Sequence, residues 1–121
     1  MRVKFMLCVT CAAVLCVALL LDRPAASQAS PRRIEVTARR STFAPAEISL
    51  KKGQPVILVL KSSDVAHGLR FRELNLNVKV KKGGTTEMRF TPDKTGTFVG
   101  HCSVFCGSGH GAMTLTLHVV E

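Results

Sequence analysis

The sequence predicts an all-β sandwich behind an N-terminal targeting segment. Three observations lead there. Short apolar, β-type runs recur at close spacing from Arg33 to the C-terminus, each bounded by turn residues. That region sustains no long helical apolar period. Nor does it contain an internal repeat or a low-complexity block.

The elements follow in order. MRVKF is a short basic start, Phe5 to Leu21 is an uncharged apolar run, and DRPAASQAS is small, polar and broken by Pro24. This order is that of a secretory signal peptide, with Ala25-Ala26-Ser27 or Ser27-Gln28-Ala29 as cleavage site. The run also lies at the short end of the roughly 17–25 residues that span a bilayer, so a retained single anchor is the alternative. Either reading divides the chain into residues 1–29 and a domain of residues 30–121. Either places that domain outside the cytoplasm, in the periplasm or another extracytoplasmic space.

Within the domain, Arg33 to Arg39 alternates Ile34, Val36 and Ala38 with charged or hydroxyl residues. FAPAEISLKKGQP reads as turn, short strand and turn. Val56 to Leu60 is a continuous apolar run, suited to a strand buried on both faces. His67 to Phe71 sets His67, Leu69 and Phe71 on one face, so His67 should point into the apolar end of the body. Leu74 to Val78 is the one stretch with room for a helix. KKGGTTEMRF leads into a strand after Gly83-Gly84, and Thr95 to His101 and Met113 to Val120 complete about seven strands.

The net charge is +9 over the 121 residues. Without Arg2, Lys4, Arg23 and Asp22 the domain keeps 14 basic and 7 acidic groups, or +7. Such a charge favours acidic partners or anionic surfaces. Export and the lack of aromatic-basic interleaving exclude nucleic acid. Membrane contact is expected only through the N-terminal segment. Cys8, Cys11 and Cys16 read as small hydrophobes of that segment, which leaves Cys102 and Cys106 in the domain.

These two lie in Cys102 to Met113, CSVFCGSGHGAM, the loop between the last two strands. Thiolate, imidazole and thioether form a soft donor set that suits copper, or zinc without the methionine. The loop holds no carboxylate, which argues against calcium, magnesium or manganese. Gly107, Gly109 and Gly111 let it fold back on itself. A mononuclear blue-copper site needs two His, one Cys and an axial Met; His67, His110 and Met113 supply that set with one thiolate to spare. The surplus is explained if Cys102 and Cys106 bridge two copper ions, each with one imidazole. Met113 is then the axial donor to one ion, and the backbone carbonyl of Val104 to the other. Three alternatives stay open: a Cys102–Cys106 disulfide, tetrahedral zinc on both cysteines, His110 and His67, and one copper held for storage, sensing or delivery. His101 and His118 read as surface groups, and Met88 as core. The pairs Arg39-Arg40, Lys51-Lys52, Arg70/Arg72 and Lys79/Lys81-Lys82 read as a solvated face or as a docking surface for an acidic redox partner. Ser-His-Asp catalysis has no support, since no serine stands in a nucleophile elbow.

GTFVGHCSVFCGSGHGAM (Gly96 to Met113) resembles the binuclear CuA motif of cytochrome c oxidase subunit II and nitrous oxide reductase, G-x-aromatic-x-G-x-C-S-E-x-C-G-x-x-H-x-x-M. DVAHGL (Asp64 to Leu69) looks like the family's stretch with the first histidine ligand. The resemblance implies a cupredoxin-like Greek-key β-sandwich over Ile34 to Val120, with His67, Cys102, the Val104 carbonyl, Cys106, His110 and Met113 as ligands. It implies one-electron transfer through two copper ions, by a carrier that is no enzyme by itself. Val104 stands where the family usually has Glu, which a backbone ligand tolerates. A two-helix membrane hairpin, Trp and Tyr are missing, and the domain is basic. The resemblance therefore fits a free-standing or singly anchored carrier better than an oxidase subunit.

Overall fold

The structure, a computed structural model, describes residues 30–121. The segment read as signal or anchor lies outside them. Among the described residues, no helix is long and apolar enough to cross a membrane.

Among the described residues nine strands form: β1 (Arg32–Arg39), β2 (Thr42–Ala44), β3 (Glu47–Lys51), β4 (Val56–Ser62), β5 (His67–Phe71), β6 (Leu76–Val80), β7 (Thr85–Phe90), β8 (Gly96–His101) and β9 (Thr114–Val120). They build two sheets, ordered β2-β1-β4-β7 and β3-β9-β8-β5-β6. The pairs β1/β4 and β3/β9 are parallel and the others antiparallel. The all-β expectation holds.

Period-2 alternation decides which side chains meet between the sheets. Val36 and Ala38 of β1 face Leu50 of β3, Phe98 of β8 and Leu115, Leu117 and Val119 of β9 in one buried cluster. Strand β4 is covered on both sides, as its unbroken apolar run predicts. Val59 is fully buried on the outer face, flanked in register by Glu35 and Glu87. Those carboxylates pair with Lys61 at 3.0 Å and Arg33 at 2.7 Å, which lays charged side chains across β4.

Two expectations are corrected. Leu74 to Val78 is not a helix: Asn75 turns the chain at φ 52°, and β6 then pairs with β5 from Phe71↔Leu76 to His67↔Val80. Leu76, Val78 and Val80 alternate with Asn77 and Lys79, so inward packing and the ladder override any helical preference. The count is nine rather than about seven because the three-residue β2 and the β6 that follows the Asn75 turn are further strands. Met88 is core, as expected.

Candidate metal centre

The fold brings two segments together at one end of the sandwich. The first is the start of β5. His67 is its first residue, fully buried, and shares its face with buried Leu69 and Phe71. The second is the loop from β8 to β9. Its neck is closed by the Cys102 amide donating to the Met113 carbonyl at 3.1 Å. The Ser103 amide donates to the Gly68 carbonyl at 3.3 Å, which ties the loop to β5. Gly68 lets the loop approach this closely, since an added Cβ would force the Ser103 hydroxyl to turn away. Within the loop, Gly107 and Gly109 take left-handed φ values of 113° and 85°, which turn the chain into a short 3-10 helix over His110–Ala112. Gly111 lies inside that helix and is not left-handed.

The six expected donors converge. The sulfurs of Cys102 and Cys106 lie 3.7 Å apart, with both thiols free and buried. On the Cys102 side are the Val104 carbonyl at 3.1 Å and His67 Nδ1 at 4.0 Å. On the Cys106 side are His110 Nδ1 at 3.5 Å and Met113 Sδ at 3.6 Å. Each sulfur has one imidazole nitrogen and one weak donor within 4.0 Å, and His67 lies within 4.8 Å of both sulfurs. Met113 is fully buried, whereas His110 is partly exposed on its 3-10 turn. No carboxylate oxygen belongs to this set. Two thiol sulfurs, two imidazoles, a thioether and a carbonyl fit a soft metal such as copper.

A layer of support lies behind the donors. Asp64 Oδ1 accepts from His67 Nε2 at 2.7 Å, and Oδ2 accepts from the Arg40 amide at 2.8 Å. This fixes the ring with Nδ1 turned toward the sulfurs. Arg40 and Ser41 form the turn between β1 and β2. The Ser41 hydroxyl donates to the Ser108 carbonyl of the loop at 2.7 Å, from a left-handed backbone at φ 68°. One turn therefore braces His67 through Asp64 and the loop through Ser108. Sequence reasoning missed Asp64, Arg40 and Ser41 in this role. Asp64 had one available signal, its three-residue spacing to His67.

The electrostatics follow this geometry. The His67 ring bonded to Asp64 holds its carboxyl down at about 2. Burial pushes the Cys106 thiol up, and the neighbouring Cys102 adds to the rise. A metal arriving here has to displace protons from sulfur. Phe105 projects from the loop, 79 % exposed, its ring 5.5 Å from that of His110. His101 is exposed as expected, and His118 lies at the surface 3.8 Å from Glu47.

Residues 11–115 match the cupredoxin-like domain family. The chain belongs to the cupredoxin-like family. This cupredoxin domain is 34% identical over 92 residues to nitrous-oxide reductase of Cupriavidus necator, covering 73% of the chain and 14% of that relative. It is 32% identical over 79 residues to cytochrome c oxidase subunit 2 of Thermus thermophilus, covering 65% of the chain and 58% of that relative. The chain thus spans only part of each. Among solved structures, a chain of a heme-copper terminal oxidase dimer superposes with TM-score 0.66 at 26% identity, covering 93% of this cupredoxin and 96% of that chain. Auracyanin A, a blue copper protein of Chloroflexus aurantiacus, shares the fold with TM-score 0.62 at 18% identity, covering 75% and 100% respectively.

Proposed function

We propose that this cupredoxin is an exported one-electron carrier built around a dithiolate-bridged copper pair of the CuA type. The observation that carries the reading is a pair of buried sulfurs close enough to share metal ions, with two imidazoles, a thioether and a carbonyl around it. Two sulfurs stand 3.7 Å apart, one flanked by His67 and the Val104 carbonyl, the other by His110 and Met113. The proposed ligands are His67, Cys102, Val104 through its carbonyl, Cys106, His110 and Met113. Bound there, two copper ions would take up and return one electron with the charge spread over both. The protein's part is to hold the donors still. Cys102 is fixed by the neck hydrogen bond, His67 by Asp64, and the loop by Ser41, so little rearrangement accompanies a change of charge. The carrier performs no bond chemistry of its own and needs a redox partner protein. Residues 1–29 serve as export signal or single anchor and place residues 30–121 outside the cytoplasm.

A second reading is a copper storage, sensing or delivery module with one copper. The partly exposed His110, on a 3-10 turn outside the strands, favours it, because such a donor can release an ion to a recipient.

Copper loading of the exported protein separates the two. The carrier reading expects two copper atoms per chain, a purple colour and an electron paramagnetic resonance signal with one spin shared over both ions. A single copper with a blue, one-ion spectrum rejects it in favour of the second reading.

A further inference from the structure

The partner of a carrier has to come close to the sulfurs, and one face of this molecule offers that approach. Arg70, Arg72, His101, Cys102 and Ser103 line an open cleft of about 500 Å³. Arg70 of β5 stands opposite His101 of β8 in register. Paired residues share a sheet face, and Leu69 and Phe71 point inward, so Arg70 and His101 point outward together. Cys102 follows His101 and brings a thiol-bearing residue to the cleft wall. A smaller depression of about 280 Å³ adjoins it and shares Arg70 and Arg72. Among the described residues, no carboxylate lines either one. Glu73 is next in sequence to Arg72 but borders neither.

Part of the charge on the opposite sheet is neutralised. There, Arg33, Arg89 and Lys61 are each paired with Glu87 or Glu35. Among the described residues, Arg70 and Arg72 have no ion-pair partner. Two unpaired guanidinium forks beside a surface path to Cys102 suit carboxylates, which they bind bidentately.

We propose that this cleft docks the carboxylate-rich face of an acidic one-electron partner protein and that the electron crosses at Cys102. The inference rests on the electron-carrier reading. One electron leaves the reduced centre and the acceptor gains it; no bond is made or broken.

The test compares two double variants of equal net charge. Arg70→Glu/Arg72→Glu alters the cleft. Lys51→Glu/Lys52→Glu alters the opposite end, because Lys51 pairs with Val120 at the far end of β9. The reduced, copper-loaded proteins are oxidised by hexacyanoferrate(III), an anion, and by hexaammineruthenium(III), a cation, in stopped flow at low salt. The cleft variant should lose about 10-fold or more in rate toward the anion, and the Lys variant less than about 2-fold, since steering acts within a Debye length. Toward the cation, the cleft variant should gain. Equal losses in both variants, or none in the cleft variant, overturn the proposal. If neither probe oxidises the wild-type protein, the carrier reading itself fails and takes the proposal with it. A second readout does not depend on electron transfer. Titrating the copper(I) protein with a hexaglutamate peptide should move the amide resonances of Arg70, Arg72, His101 and Ser103. Shifts as large at Lys51 and Lys52 overturn a defined docking site. So does a face that binds phosphatidylglycerol vesicles through Arg70 and Arg72 but ignores the peptide.

Discussion

Asp64 accepts a hydrogen bond from His67 Nε2 at 2.7 Å, which leaves His67 Nδ1 facing Cys102 Sγ at 4.0 Å. The carboxylate chooses which ring nitrogen is free to bind metal. Asp64→Asn keeps the size but removes the charge. Copper affinity, measured by competition with a chelator, should fall by about 10–100-fold, as for other outer partners of histidine ligands. Unchanged affinity would mean that Asp64 does not position the ring.

Ser41 carries the second brace. Ser41→Ala removes the hydroxyl that bonds Ser108 and keeps a Cβ at left-handed φ, so denaturant unfolding should show a loss of about 1 kcal/mol. Ser41→Gly loses the same bond but relieves a left-handed penalty of about 1–2 kcal/mol, so it should be near neutral. Equal losses in both variants would show that backbone strain at Ser41 contributes nothing.

Gly100 is held by packing. A Cβ there would lie 2.6 Å from the Phe71 ring and 2.9 Å from Leu69. Gly100→Ala should destabilise the domain by about 1–3 kcal/mol, and because Phe71 shares its strand with His67, it should also weaken copper binding. A thermal melt together with copper titration checks both.

Acid should weaken the apo domain in a defined window. Hydrogen bonds from His67 and from Arg33 hold the carboxyls of Asp64 and Glu87 below their ordinary values. A depressed folded-state value gives stability that is present above the unfolded value and lost as pH falls through the folded one. For Asp64 that window runs from 3.8 down to about 2. Urea midpoints should therefore hold steady down to about pH 5 and fall below about pH 4. Glu87→Gln should show a shallower fall.

Without metal, the two sulfurs 3.7 Å apart are placed to oxidise. Apo protein treated with a mild oxidant should lose both domain thiols in a thiol titration and stop taking up copper until reduced. Copper-loaded protein should keep both. Uptake unaffected by the oxidant would show that the pair does not close.

Local spacing made the donor set readable. Cysteines four apart, with a histidine and a methionine downstream, keep that spacing in any loop that closes on itself. The strands with clean alternation were readable for the same reason, since period 2 is written residue by residue. β6 was not, although Leu76, Val78 and Val80 alternate: its start depends on the left-handed turn at Asn75 and its pairing on β5, and neither is written in that alternation.

The sequence by itself determined the all-β class, the inward direction of His67 and a soft donor set in one glycine-rich loop. Each of these follows from residue type and short-range periodicity. Only the tertiary structure decided that Asp64 and the Arg40–Ser41 turn brace the donors, because hydrogen bonds 24 and 67 residues apart join them. The β5–β8 register likewise set Arg70 beside His101 at the cleft wall. Contacts of that range depend on how the sheets stack, and a one-residue slip in register would turn each of these side chains to the other face.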